Sequence, residues 1–243
     1  MAKEGLVCHS EGAKRPKNLL PPRFFSSPSV ILRMTHARGL FITFEGPEGC
    51  GKSTHSRLIA EYLKSKGKDV VYTREPGGTK IGEHIRAILL DKHNEKISVM
   101  AEAFLYLAAR AQITKEIILP ALAKESIVIC DRFQDATVVY QGYAGGLDVK
   151  MLNLLGDIAT DGLRPDLTII LDIDTALGLK RAGFKDRMER KSIEFHKKVR
   201  RGYLALAKKE SKRIKVVKVK DAISETQEEI RKIIEASLRA RKK

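Results

Sequence analysis

The chain has no tryptophan, and aromatic residues make up only 6% of its 243 positions, which argues against a base-stacking platform for single-stranded nucleic acid. Its three cysteines, Cys8, Cys50 and Cys130, are odd in number and share no zinc-ligand spacing with the six histidines. That set excludes a disulfide scaffold and fits a reducing, cytoplasmic compartment. No apolar run approaches the ~20 residues a membrane helix needs, so no membrane span is expected. Strand-length pieces such as Leu167–Leu171 fall far short of that length. With 43% hydrophobic residues the chain can still bury the core of one α/β domain.

Acidic residues are the minority, 30 against 46 basic, and the net charge of +16 raises the question of a polyanionic partner. The excess is uneven. Residues 1–38 hold 7 basic and 2 acidic side chains (+5), residues 39–179 hold 16 and 19 (−3), and residues 180–243 hold 23 and 9 (+14). The central segment, which carries the motifs below, is slightly acidic, and the basic C-terminal quarter reads as solvated helix faces. Nucleic acid is therefore not the expected partner.

Residues 1–38 contain Pro16, Pro21, Pro22 and Pro28, several serines and no sustained periodicity, so a disordered N-terminal extension is expected there. A start at Met34 would remove nearly all of it. Glu4, Glu11 and the prolines speak against a transit peptide. From Leu40 onward short β-branched runs alternate with helical stretches. Strands are expected at 40–45, 69–73, 126–130, 167–172 and 214–219. Helices are expected at 53–66, 81–90, 101–123, 150–160, 175–181, 191–209 and 225–241. This alternation predicts an α/β fold with a doubly wound parallel sheet of about five strands, flanked by helices, with ligands at the carboxyl ends of the strands.

The strongest motif is Gly46-Pro47-Glu48-Gly49-Cys50-Gly51-Lys52-Ser53, which matches G-x-x-x-x-G-K-[ST] between an expected strand and an expected helix. Glycines let successive N–H groups turn toward phosphate oxygens, and the helix N-terminus adds its positive end. Lys52 would reach the β/γ oxygens of ATP, and the Ser53 hydroxyl would ligate Mg²⁺, with Thr54 following in the same turn. This is the P-loop NTPase signature. At the end of the third strand, Asp131-Arg132 would emerge at the same sheet edge, the carboxylate near Mg²⁺ and the guanidinium toward phosphates.

A P-loop shows only nucleotide binding, and the class comes from the remaining blocks. These are Thr73-Arg74-Glu75-Pro76-Gly77-Gly78-Thr79, Ala101-Glu102 with Tyr106 and Arg110, Asp131-Arg132-Phe133 with Tyr140-Gln141-Gly142, Arg164-Pro165-Asp166-Leu167-Thr168, and Asp186-Arg187-Met188-Glu189. In this order they resemble bacterial-type thymidylate kinases across nearly all of residues 39–235. The resemblance implies a kinase domain over 39–243, transferring the γ-phosphoryl group of ATP to dTMP in dTTP synthesis, with Mg²⁺ as cofactor and a homodimeric assembly. It implies that Tyr106 stacks on thymine, Arg110 bonds its O4 edge, Thr137 touches the base, and Tyr140 crowds the 2′ position. Arg74 and Arg132 would hold the dTMP phosphate, with Glu75-Pro76 shaping the turn. Residues 181–190 would form a short mobile lid, with Arg187 as transition-state cation beside Lys185 and Arg190. Ala136 stands where the family usually has Ser, and Tyr106 where it usually has Phe. A kinase for another monophosphate, or a non-catalytic P-loop protein using the basic C-terminal quarter, are the rival readings.

Overall fold

Alternate residues of the first strand divide the core in two. In the computed structural model, which describes residues 39–94, 96–183 and 186–241, strand β1 (Phe41–Glu45) is buried along its whole length. Leu40, Ile42 and Phe44 pack on one face with Ile59 and Leu63 of helix α1 (Lys52–Ser65) and Ile230 and Ile234 of the C-terminal helix. Phe41 points the other way, to a cluster with Ile113, Ile118, Val128 and Cys130. Period-two side chains covered on both faces are what a parallel central strand requires.

The sheet continues with β2 (Val70–Arg74), β3 (Ile127–Asp131), β4 (Leu167–Asp172) and β5 (Ile214–Lys218), in the order β2-β3-β1-β4-β5, all pairs parallel. Five strands, helices on both faces and the doubly wound order agree with the sequence reading, and strand ends differ from it by one residue at most. The edge strand β5 carries Lys215 and Lys218 beside its buried Ile214 and Val217, and such lysines discourage further strand pairing.

The other helices are α2 (Lys80–Leu90), α3 (Val99–Ile113), α4 (Leu119–Ala123), α5 (Gln134–Thr137), α6 (Val149–Thr160), α7 (Thr175–Ala182), α8 (Ile193–Lys209) and α9 (Ile223–Ala240). Side-chain caps start several of them. Thr79, Ser98, Asp148, Asp174 and Ser192 each accept a backbone N–H from the first turn. Two departures from the sequence reading concern helices. The single helix expected over 101–123 begins at Val99 and passes through a π-helical turn, Thr114–Ile118, between α3 and α4. Pro120 lacks an N–H and its ring crowds the carbonyl four residues back, which favours the wider turn there. Residues 134–144, for which periodicity predicts no element, form α5 and a second π-helical turn, Val138–Ala144. Its β-branched residues are poor helix formers, but Val139 and Tyr140 are buried against α8 and packing overrides propensity. Residues 1–38, with Cys8, the expected extension and Met34, lie outside the described residues, as do Glu95, Phe184, Lys185 and the last two lysines.

Candidate active site

β1 lies between β3 and β4, so the chain leaves the sheet in opposite directions at this point and a crevice opens above the strand ends. A cavity of about 520 Å³ occupies it. Glu48, Gly49, Gly51, Lys52, Ser53 and Thr54 line one part of the wall. Gly46, Gly49 and Gly51 all have positive φ, which the curled loop needs and other residues rarely adopt. Gly46, Pro47 and Cys50 shape the loop from behind, and Cys50 is buried. A Cβ on Gly49 would lie 1.8 Å from the Gly178 carbonyl oxygen, so the loop also rests directly on α7. Lys52 sits at the start of α1 and donates to the Pro47 carbonyl at 2.8 Å.

Ser53 donates its hydroxyl hydrogen bond to Asp131 across 78 residues of sequence. One hydroxyl and one carboxylate on the cavity wall form an all-oxygen donor pair that suits Mg²⁺, which is commonly held by one or two protein oxygens with phosphates and waters completing the shell. Among the described residues no group of three or more His, Cys, Asp or Glu forms a denser metal site.

Arg132 is partly buried and strained, with φ of +68°. Its guanidinium grips Glu48 through two bonds of 2.8 Å, and Tyr140 donates its hydroxyl to the same carboxylate at 2.8 Å. The guanidinium also lies 5.0 Å from the Tyr140 ring centroid. Burial alone would raise the Glu48 pKa, but Arg132 and Lys52 outweigh it and hold the group down at about 2. Beneath this pair lies Glu45, at the end of β1, which sequence reading passed over as a strand residue. It accepts the Phe133 and Ala136 N–H groups and the Tyr203 hydroxyl. Burial, then the Asp135 carboxylate, push its pKa from 4.5 up to about 7. A carboxyl raised in the folded state stabilises the fold below its unfolded pKa, and that contribution is lost as pH climbs from 4.5 through 7. Glu45→Gln should therefore flatten part of the decline in Tm over this window. Thermal melts at stepped pH check this, and an unchanged slope would remove Glu45 as its source.

On the acceptor side Arg74, Glu75, Pro76, Tyr106, Thr137 and Tyr140 all reach the cavity, with Ala136 and Gln141 beside them. Arg74 is half exposed and paired with Glu83 at 3.2 Å. The Glu75-Pro76 peptide is cis. Arg110 does not reach the wall. It is only 1% exposed, donating to Glu75 at 2.8 Å, to Gln134 at 2.7 Å, to Thr137 at 3.0 Å and to the Phe133 carbonyl at 3.0 Å. Four of its five N–H groups are thus spent on the protein. It stands behind Thr137, one residue back from the cavity wall. Gly156 makes room for this arrangement, since a Cβ there would strike Gln134 at 2.2 Å.

The expected lid residues divide. α7 ends at Gly183 in the left-handed conformation, and Arg181, Ala182, Asp186, Met188 and Glu189 line the cavity. Arg187 does not. It is buried, donates to the Leu89 carbonyl at 2.9 Å and forms an ion pair with Glu102 at 2.6 Å. These contacts place Arg187 within the protein frame and off the cavity wall. Lys185 is outside the described residues. Sequence reading missed two cavity-lining cations, Arg57 and Arg86, and gave Arg181 no role beyond the lid. Arg86 lies in α2, where it donates to the Pro76 carbonyl at 2.9 Å. An arginine in a helical pattern gave no signal of this, because its direction is set only when α2 packs beside the cis turn.

A family model described as thymidylate kinase matches residues 44–230. A thymidylate kinase of Geotalea uraniireducens is 47% identical over 209 residues, covering 82% of this chain and 98% of that protein. One of Geotalea daltonii is 50% identical over 198 residues, covering 77% and 92%. The crystal structure of thymidylate kinase from Ehrlichia chaffeensis superposes with a TM-score of 0.66 at 36% identity, covering 81% of this chain and 98% of that one.

Proposed function

Because the chain belongs to the thymidylate kinase family, we propose that it transfers the γ-phosphoryl group of ATP to dTMP, giving dTDP, through a kinase domain spanning residues 39–243. The observation that carries this reading is the single cavity shared by the phosphate-cradling loop and the Tyr106, Thr137 and Tyr140 set. Phosphoryl transfer asks little covalent chemistry of a protein. It needs alignment of donor and acceptor and positive charge around the transferred group. Lys52 and the loop N–H groups supply that charge on the donor side, and Ser53 with Asp131 would hold Mg²⁺, which neutralises phosphate oxygens when bound. Arg132 and Arg86, with Arg74 at the rim, face the acceptor phosphate. Arg181 is the described lid cation placed on the wall. The acceptor is an ionised monoester, so no general base is required. Closure by the 181–190 segment would keep water from the transferred group.

Base selection falls on Tyr106 as stacking face and on Thr137 and Gln141 as polar wall groups, with Arg110 holding Thr137 from behind. Tyr140, pinned to Glu48 on the cavity wall, is the residue proposed to crowd a 2′ hydroxyl. dTMP is expected to exceed dCMP and dGMP by at least about a hundredfold in kcat/KM, because mismatched polar groups keep their desolvation cost. Loss of the 5-methyl in dUMP should cost only ~1–3 kcal/mol. A coupled ADP-release assay over a panel of monophosphates tests this. Higher kcat/KM for dCMP or dGMP would remove the thymidylate assignment and leave the monophosphate-kinase class. The proposed assembly is a homodimer, consistent with Phe104 of α3 and Leu154 and Ile158 of α6, which are exposed on two helices that pack together. The proposed location is the cytoplasm, and among the described residues no helix is long and apolar enough to cross a membrane.

A further inference from the structure

Glu102 is 1% exposed and does not itself line the cavity, yet side chains from two other segments meet at its carboxylate. Gln141, on the wall beside Tyr140, donates to one oxygen at 2.7 Å. Arg187 and Lys191 reach the other at 2.6 Å and 3.6 Å. Glu102 also lies one helical turn before Tyr106, on the same side of α3. The turn that carries Arg187 is closed by Asp186, which accepts the Met188 and Glu189 N–H groups, and is tied to the end of α2 by the Arg187 bond to Leu89. Met188 and Glu189 therefore enter the cavity from a turn that α2 holds at its backbone and that one buried carboxylate ties to α3.

We propose that Glu102 is a positioning residue that sets the Asp186–Lys191 turn in register with the Tyr106 and Gln141 side of the pocket, so that the two walls act as one frame for the reacting groups. The inference rests on the kinase reading above. Physically it follows from charge. Without the carboxylate, two largely buried cations face each other with nothing to hold them, and the turn loses its anchor to α3. The amide of Glu102→Gln can still accept from Gln141, so the base wall keeps its local bond while the turn is released. Misalignment of this kind lowers turnover more than it lowers binding of either substrate.

The test is a comparison of the wild-type enzyme with Glu102→Gln and Glu102→Asp. In Glu102→Gln, kcat for dTMP should fall by about a hundredfold, with the dissociation constants of dTMP alone and ATP alone within about threefold of wild type. Glu102→Asp should recover part of the loss. A double variant, Glu102→Gln with Arg187→Gln, removes the stranded charge and should lose no more than either single change, which covers the event that Glu102→Gln folds poorly. Wild-type kcat in folded Glu102→Gln, or additive losses in the double variant, would overturn the proposal. Absence of dTMP turnover in the wild type would instead overturn the kinase reading on which it rests.

Discussion

Lys52→Ala should lower kcat with dTMP by about a thousandfold, close to 4 kcal/mol of lost transition-state stabilisation, while leaving the fold in place. The expectation starts from what Lys52 does in the protein. Its ammonium makes one 2.8 Å bond to the Pro47 carbonyl and lies 3.9 Å from Glu48. Neither contact builds the loop, whose path is dictated by the positive-φ glycines and by the direct seat of Gly49 on Gly178. Glu48 keeps its two Arg132 bonds and the Tyr140 bond when Lys52 is removed. The substitution thus takes away a charge aimed into the cavity and little packing. Circular dichroism and a melt should show a folded protein, and a coupled ADP-release assay should show the collapse in kcat. Turnover above a tenth of wild type would remove Lys52 from the catalytic set.

The largest stability effect is expected at Arg110. Arg110→Met keeps much of the apolar stem but strands the Glu75 carboxylate, which is 2% exposed and has no other hydrogen-bond partner among the described residues, and it leaves Gln134, Thr137 and the Phe133 carbonyl without their donor. Breaking a buried ion pair from one side costs about 3–5 kcal/mol. At about 2–4 °C of Tm per kcal/mol for a domain of this size, the melt should shift down by roughly 6–20 °C. The pH dependence has a definite sign. Burial already holds the Glu75 pKa up, at about 7, against the opposing pull of Arg110. A raised carboxyl favours the fold at low pH and loses that advantage as pH rises through its folded value, and removing Arg110 raises it further. The deficit should therefore be smaller at about pH 5.5, where Glu75 can protonate, than at about pH 8. A Tm within about 2 °C of wild type at the higher pH would contradict the account of Arg110 as a buttress.

These two arginine and lysine sites illustrate how differently the site was encoded. The P-loop was legible because a short string of glycines with Lys52-Ser53 between a strand and a helix admits few conformations, and each residue's task is set by its immediate neighbours. The parallel sheet was legible for a similar reason. Continuous apolar runs at 127–130 and 167–171 can be buried only as interior strands covered on both faces. The placement of Tyr106 and Arg110 on one helical side, through their spacing of four, also follows from local geometry.

What local pattern left undecided was the partner of each long charged side chain. Arg132 and Glu48 are 84 residues apart, Arg110 and Glu75 are 35, and Glu45 and Tyr203 are 158, so only the packed sheet and helices bring them together. The same holds for Arg187, whose place in an Asp-Arg-x-Glu block pointed to the cavity while Glu102 draws it into the protein. It holds for Arg86, Arg57 and Arg181, which gain access to the cavity from ordinary helical positions. The positions of the five strands, their parallel character and the glycine-rich loop were thus determined by the sequence alone, through backbone conformation and burial of apolar runs, whereas their order in the sheet came from the fold. Which cation lines the cavity and which is spent on holding the frame was decided by tertiary structure, because a guanidinium's surroundings depend on whether folding brings a carboxylate to it.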